Sequence, residues 1–376
     1  MKKRLALIVI SLDECFSEKG FSGGGHKVTK HLILGLIESG KFEIDIFYKR
    51  KGEREKGKEE VNVIEGINSI TVLNKKTFEK DLKEKIEQNH YNYVLSSDIL
   101  LPFANNLVHS NSSKYKNKNG KNKLMQTILK FYNAKKIKAQ EKCFENNNNA
   151  LFTVSGRLKK DYVQNFNLDE NKVFVCYPGM EDSSDFTLPD FKDVFTIGSI
   201  AGGGLNKGGY LLLFALKSLP ATCKIKARII FPKFHKAFFF KLCIKLLGLE
   251  NRIELLGKQR NMDEYYKSID CYVLPSLNEA FGLVVPEAAM NFKPSIVSST
   301  TGVAELINDS ENGFVFDRTK APVKNLASKL AEVADMYFNN QDKFSEISKN
   351  AHEIPTKLEW KKFSDTIIDN MVNKGK

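Results

Sequence analysis

The chain has little cysteine and no cysteine pair. Its six cysteines (Cys15, Cys143, Cys176, Cys223, Cys243 and Cys271) are scattered without a C-x-x-C spacing, mostly inside apolar runs. That argues against a zinc ribbon, a dithiol motif and a disulfide framework, and fits reduced core residues of a cytosolic protein. Long apolar runs are also absent: none approaches the roughly 20 residues of a membrane span. Met1-Lys-Lys-Arg before Leu5 to Ile10 has the outline of a leader. The apolar run is too short, and Asp13 and Glu14 follow with no small-residue cleavage site, so it reads as a first strand. Acid is in deficit, 45 Asp and Glu against 58 Lys and Arg, for a net charge of +13. Nucleic acid, an acidic membrane surface or phosphate-bearing substrates are the usual partners of such a chain.

What is present suffices for two globular domains. The chain has 376 residues, 42% of them hydrophobic, and only ten prolines. After the first strand, Gly20-Phe-Ser-Gly23-Gly24-Gly25 leads into a helical pattern from His26 to Ser39, stopped by Gly40. Val28, Leu32, Ile33, Leu36 and Ile37 share one face of it, and Phe42 to Tyr48 is the next strand. Strand, glycine loop, helix, strand is a nucleotide-type unit, in which glycines let backbone approach a phosphate. The loop is not G-x-G-x-x-G, and taken alone it is better explained as a surface loop. Lys49 to Glu60 is charge-dense and reads as a solvated loop, with short strands at Val61 to Ile64 and Ile70 to Leu73. Tyr91 to Ser96 is a further strand, and His109 follows the apolar pair Leu107-Val108 at a strand's carboxyl end, the rim where open α/β sheets bind ligands.

Lys114 to Cys143 holds ten lysines and one glutamate, interrupted by Leu124, Met125, Ile128, Leu129, Phe131 and Tyr132. A solvated basic loop followed by a core-facing helix explains the apolar residues well but the charge density less well, because lysines this close repel one another, which an anionic surface would relieve. A polar stretch, Ser183 to Asp190, reads as a linker. Beyond it, the strand Val194 to Ser199 runs into Gly202-Gly203-Gly204-Leu-Asn-Lys207-Gly208-Gly209 and then a helix from Tyr210 to Leu219. Glycines and a lysine at a helix start make a diphosphate cradle, although the Walker pattern G-x-x-x-x-G-K-[ST] is absent. Lys233 to Leu247 reads as a basic aromatic helix, and Leu358 to Val372 as an amphipathic one anchored by Trp360.

The most specific stretch runs from Leu274 to Phe316. Cys271 to Leu274 reads as a buried strand ended by Pro275 and Ser276; Glu279 follows in a loop with Phe281 and Gly282; Pro286 opens a helix with Glu287 in its first turn. A carboxylate accepts two hydroxyl hydrogen bonds at once, which suits the vicinal hydroxyls of a sugar. Backbone N–H groups around Phe281, Gly282 and Leu283 suit phosphate oxygens. A capping glutamate plus a surface glutamate would explain the two acids alone. The surrounding residues decide: Pro-Ser-x-x-Glu-x-Phe-Gly, Pro-Glu-Ala, Lys293-Pro294, Thr301-Gly302-Val-Ala-Glu305 and Asn312-Gly313. Together they closely resemble the donor-site block of retaining GT-B glycosyltransferases of the large bacterial group 1 family, which includes lipopolysaccharide-core and capsule transferases.

That resemblance implies two facing Rossmann-like, doubly wound α/β domains with the active site in the cleft between them. Residues 1–182 would be the acceptor domain, with a C-terminal helix, 355–376, packing back on it, and 183–354 the donor domain. It implies transfer of a hexose from a nucleotide-diphosphate sugar, a UDP-sugar being expected, to a hydroxyl of a glycan or lipid-linked acceptor, with no metal and no cofactor. Glu279 would hold the donor sugar and Glu287 the ribose. Gly202, Gly203, Gly204, Lys207 and the backbone of Phe281, Gly282 and Leu283 would hold the diphosphate. His109 would act at the reacting centre, and Gly23, Gly24 and Gly25 would admit the acceptor. The family carries an additional basic residue in the loop before Lys207, which this chain lacks, so the second phosphate contact is left open. The expected setting is cytoplasmic, at the inner face of the cell membrane if Lys114–Cys143 contacts an anionic lipid surface, and no nucleic-acid partner is expected. A sugar-nucleotide epimerase of the same fold, and a basic nucleic-acid-binding protein, are the alternatives.

Overall fold

The structure is a computed structural model. It describes residues 2–10, 12–16, 24–49, 64–73, 77–112, 123–145, 149–181, 189–201, 205–234 and 237–373, with backbone alone at 13, 49, 123–133 and 205. Gly23, the run Gly202-Gly203-Gly204, residues 114–122, residues 50–63 and most of the expected linker lie outside the described residues. The chain divides into two compact units, one formed by Met1–Gly179 with Trp360–Lys376, the other by Met180–Glu359.

The first unit is a seven-stranded sheet with every described pairing parallel. Its strands are β1 (Lys3–Val9), β2 (Phe42–Lys49), β3 (Ser69–Leu73), β4 (Tyr93–Ser97), β5 (Asn105–Val108), β6 (Leu151–Thr153) and β7 (Val173–Val175), in the order β3-β2-β1-β4-β5-β6-β7. Leu5 to Val9 are fully buried, as a strand covered on both faces requires. The helices are α1 (Leu12–Cys15), α2 (Gly24–Glu38), α3 (Phe78–Asn89), α4 (Lys123–Phe144) and α5 (Gly156–Phe166). In α2, Val28, Thr29, Leu32, Ile33 and Leu36 form the buried stripe that its period dictates.

The second unit is a six-stranded sheet, again parallel at every described pairing. Its strands are β8 (Phe195–Ile200), β9 (Ile225–Ile230), β10 (Ile253–Leu256), β11 (Cys271–Leu274), β12 (Ser295–Ser298) and β13 (Phe314–Phe316), in the order β10-β9-β8-β11-β12-β13. The helices between and after them are α6 (Gly209–Ser218), α7 (Phe238–Leu246), α8 (Met262–Lys267), α9 (Val284–Met290), α10 (Pro322–Asn339), α11 (Gln341–Ala351) and α12 (Glu353–Thr356). The helix expected over Lys233 to Leu247 is shorter. Just ahead of it the Ala237 N–H donates to the Phe234 carbonyl at 3.0 Å. Helix α9 begins at Val284, so Pro286 stands two residues further in than expected, still within the first turn.

Both units therefore have a topological switch point, where the strand order reverses: between β1 and β4 in the first, between β8 and β11 in the second. The crevice beyond the strand ends at such a point is where this fold class binds ligands.

The last helix, α13 (Trp360–Asn373), belongs to the first unit and packs on α2. Trp360 stacks on His31, ring centroids 3.9 Å apart and nearly parallel. One turn further along α2, Gly35 admits Ser364, whose Cβ lies 2.3 Å from where a Cβ on Gly35 would be. We expect Gly35→Ala to destabilise the protein by about 1–3 kcal/mol through overpacking, read by thermal unfolding. Adding Ser364→Gly, which removes the opposing atoms, should recover part of that loss; no loss in the single variant would show that the contact is loose.

Candidate functional site

Residues Leu205–Gly208, ahead of α6, and the loop after β11 meet at the second switch point. The Leu277 N–H donates to the Asn206 carbonyl at 2.7 Å. Gly208, with φ +70°, sits so close to the carbonyl after β11 that a Cβ there would be 2.0 Å from the Pro275 oxygen. Only glycine fits both the left-handed backbone and the approach. This junction brings Lys207, at the end of the 3-10 turn Leu205–Lys207, onto Glu279: Nζ lies 2.7 Å from Oε2. Ser276 Oγ donates to the same oxygen at 3.3 Å.

The loop carrying Glu279 is pinned from its other side. Gly302 N–H donates to the Glu279 carbonyl at 3.0 Å and Val303 N–H to the Phe281 carbonyl at 2.8 Å, and Thr301 Oγ1 anchors that stretch to Ser298. Gly282, at φ +115°, then turns the chain into α9. The N–H groups of Gly282 and Leu283, just ahead of the helix, have no acceptor among the described residues. Glu287 in the first turn of α9 receives a hydrogen bond from Tyr266 Oη at 3.1 Å. Burial, and then the Glu287 carboxylate, hold the Tyr266 hydroxyl well above its usual pKa, so it stays a donor and fixes that carboxylate.

The block from Leu274 to Phe316 therefore divides into two physical classes. Glu279, Phe281, Gly282, Leu283 and Glu287 line the carboxyl rim of the strands. Lys293 does not: it precedes β12 at the opposite end of the sheet, where burial lowers its pKa and Asp270 opposes that. Asp270 is itself fixed by the Thr196 N–H at 2.7 Å. Asn312 folds its side chain onto Asn308 N–H and the Leu306 carbonyl, and so shapes a turn.

In the first unit, His109 follows β5 and Asp98 follows β4. His109 Nε2 lies 2.9 Å from Asp98 Oδ2, with the imidazole nearly buried. Asp98 holds φ +67°, its N–H bonded to the Leu107 carbonyl at 3.0 Å. Gly25, in the first turn of α2, faces the same ring: a Cβ on it would be 2.6 Å from His109 Cε1 and 3.6 Å from Asp98 Oδ2. Gly24 is the first residue of α2 and is exposed. The polar run after His109 is held, because Ser112 N–H and Oγ both donate to buried Asp161 at 2.8 Å.

Three residues at these rims escaped the sequence reading. Asp98 stands against His109, and Tyr266 orients Glu287, each from another element. Arg318, two residues beyond β13, lays its Nε 3.4 Å from the same Pro275 carbonyl that Gly208 abuts, and burial lowers its pKa. Position just past a strand's carboxyl end is the signal that finds Asp98 and Arg318; Tyr266 carries none.

Residues 181–352 match the family model described as glycosyl transferases group 1. A lipopolysaccharide core biosynthesis mannosyltransferase of Rhizobium leguminosarum bv. viciae, LpcC, is 40% identical over 84 residues, covering 22% of this chain and 24% of its own. A glycosyltransferase of Methanocaldococcus jannaschii is 29% identical over 181 residues, 43% of this chain and 45% of its own. The chain thus spans about half, or less, of the length of these relatives. Among solved structures, WaaG, a glycosyltransferase involved in lipopolysaccharide biosynthesis, superposes with TM-score 0.72 at 13% identity over 98% of this chain and 99% of WaaG. Anabaena HepE in complex with UDP-glucose gives 0.68 at 15% identity over 99% and 100%. These likenesses establish the fold.

The Gly208 junction can be tested by itself. Gly208→Ala must relieve a backbone clash and adopt a strained φ, costing about 1–3 kcal/mol of thermal stability. Gly257→Ala, where the added Cβ meets nothing within 4 Å, should stay within about 0.5 kcal/mol of wild type. Equal stabilities for the two variants would contradict the close approach.

Proposed function

Because residues 181–352 belong to the glycosyl transferases group 1 family, we propose that this chain transfers a hexose, with retention of configuration, from a nucleotide-diphosphate sugar to a hydroxyl acceptor. The acceptor class we assign is a glycan or lipid-linked glycan of cell-surface polysaccharide or lipopolysaccharide synthesis. The observation that carries the proposal is the Lys207–Glu279 pair, 2.7 Å apart at the switch point of the second unit. A cation beside a sugar-sized carboxylate is what a glycosyl diphosphate needs at the bond that breaks. HepE has been captured with UDP and with UDP-glucose, which supports a UDP-sugar as the donor here.

In this reading Lys207 stabilises the negative charge that develops on the departing diphosphate, aided by the loop Gly202 to Gly204 and the N–H groups of Gly282 and Leu283. Arg318 supplies the second phosphate contact that the glycine loop lacks. Glu279 exchanges its ion pair with Lys207 for the hydroxyls of the sugar, and Glu287, held by Tyr266, takes the ribose. His109, with Asp98 and Gly25 against its ring, contacts the reacting centre, and Gly23 to Gly25 admit the acceptor. The leaving diphosphate accepts the proton of the acceptor hydroxyl, so the protein's contribution is positioning and electrostatics without a metal. Peripheral attachment to the inner face of an anionic membrane through Lys114–Cys143 would bring a lipid-linked acceptor to hand.

Steady-state kinetics on folded variants test these roles. Lys207→Ala should lower kcat by about 100-fold or more, and Arg318→Gln should raise the donor KM. Glu287→Ala should weaken UDP and UDP-sugar alike, and Glu279→Ala should chiefly reduce turnover. Each loses a charged hydrogen bond worth about 1.5–3 kcal/mol. His109→Ala should keep nucleotide affinity and lose most transfer. EDTA should leave wild-type activity intact; abolition by EDTA with rescue by a divalent metal, or wild-type kinetics in the glutamate variants, would overturn the mechanism.

A further inference from the structure

Seven large hydrophobic side chains are exposed among the described residues, and six of them fall between residues 214 and 246. Four stand on α7: Phe238, Phe239, Leu242 and Leu246, exposed by 68%, 70%, 40% and 76%. At about 100° per residue these four share one arc of the helix. The opposite arc, Phe240 and Ile244, is buried in the core with the preceding Ala237. The helix is thus apolar on both faces, and its outer face has no partner among the described residues of the unit. Scattered exposed apolar residues are ordinary, whereas a contiguous row on one short helix marks a contact surface.

The surrounding charge identifies the contact. Lys233, Lys241 and Lys245 are exposed along this segment, and no acidic residue occurs between Phe231 and Leu249. Lys241 places its ammonium 3.8 Å over the Phe234 ring, so its stem lies along the apolar row. Large apolar side chains flanked by lysines fit an anionic bilayer surface: the rings enter the headgroup boundary while the ammonium groups remain with the lipid phosphates. We propose that the outer face of α7 docks on an anionic lipid bilayer. This goes beyond the attachment through Lys114–Cys143, because it lies in the other unit and adds apolar insertion to charge.

The same helix reaches the donor rim. Phe240 packs where a Cβ on Gly209 would be 3.1 Å from its ring, and its ring meets Tyr210 at 5.2 Å. Gly209 and Tyr210 directly follow the Lys207-Gly208 turn. The inner side of α7 therefore supports that turn while its outer side rests on lipid. The arrangement holds the donor-binding rim close to the membrane plane, where a lipid-linked acceptor is found. This functional consequence rests on the glycosyltransferase reading; the docking itself does not.

The test is co-sedimentation of the full chain with phosphatidylglycerol and phosphatidylcholine vesicles at low and high salt. Three proteins are compared: wild type, a quadruple variant (Phe238→Ser, Phe239→Ser, Leu242→Ser, Leu246→Ser), and a variant with Lys114, Lys116, Lys118, Lys121 and Lys123 changed to Gln. The exposed sites allow the Ser variant to fold, and its hydrolysis of the donor in solution should match wild type. Its partitioning onto phosphatidylglycerol vesicles should fall by about tenfold or more, and at high salt it should lose binding that the Gln variant retains. A separate Phe239→Trp variant should show a blue-shifted emission component and quenching by brominated lipid. Undiminished binding by the Ser variant, or Phe239→Trp emission unmoved by vesicles, would overturn the proposal. So would a wild-type dimer that the Ser substitutions dissolve in the absence of vesicle binding, which would make a second copy the occupant. Loss of binding confined to the Gln variant would leave attachment to Lys114–Cys143 and remove α7, while absent transferase activity would count against the function alone.

Discussion

The backbone contact between Gly208 and the Pro275 carbonyl governs the second unit's chemistry. A side chain at Gly208 would overlap that oxygen at 2.0 Å, so the turn after β8 can close on the end of β11 only with glycine there. The contact, with the Asn206–Leu277 hydrogen bond, spans the point where the strand order reverses. Lys207 and Glu279 are 72 positions apart in sequence, yet become an ion pair because their backbones are already locked. A half-exposed pair of this kind adds little to stability. Its worth lies in a cation and a carboxylate held ready at one place. In the proposed reaction, a phosphate group arriving there would compete with Glu279 for Lys207 and release the carboxylate for a hydroxyl.

The first unit uses the same device on a side chain. Gly25 lacks the Cβ that would meet His109, and this lets the imidazole lie between the start of α2 and Asp98. In each unit a glycine at a switch point makes room for a polar group from a neighbouring strand end. Such glycines do not mark flexibility; they mark where something else occupies the space of a side chain.

Much of this was legible in the sequence. Period and glycine punctuation located β1, α2, β8 and α6 to within a residue or two, because each has a strongly apolar face and a clear stop. The polar strand β12 and the three-residue β13 were hidden: Ser295 and Ser298 are buried, and Ser298 is satisfied by a hydrogen bond to the Ser276 carbonyl that only the fold supplies. At the rims, Glu279, Glu287, Lys207 and His109 could be picked out because each follows a strand or opens a helix. Their partners Asp98 and Tyr266 could not, since a pairing between distant elements leaves no local pattern. The motif block also carried more than one kind of information. Lys293, Asn312 and Gly313 shape turns and strand starts, away from the rim that Glu279 and Glu287 occupy.

The strand ends around Lys207 and Glu279 are proposed to form a nucleotide-sugar site. The most direct measurement is thermal unfolding of the wild-type protein across a panel of nucleotide-diphosphate sugars, since a ligand that binds only the folded state raises the transition by mass action. The account predicts a concentration-dependent rise with a UDP-sugar, a smaller rise with UDP, and none with the free sugar. No rise with any nucleotide-diphosphate sugar would contradict it.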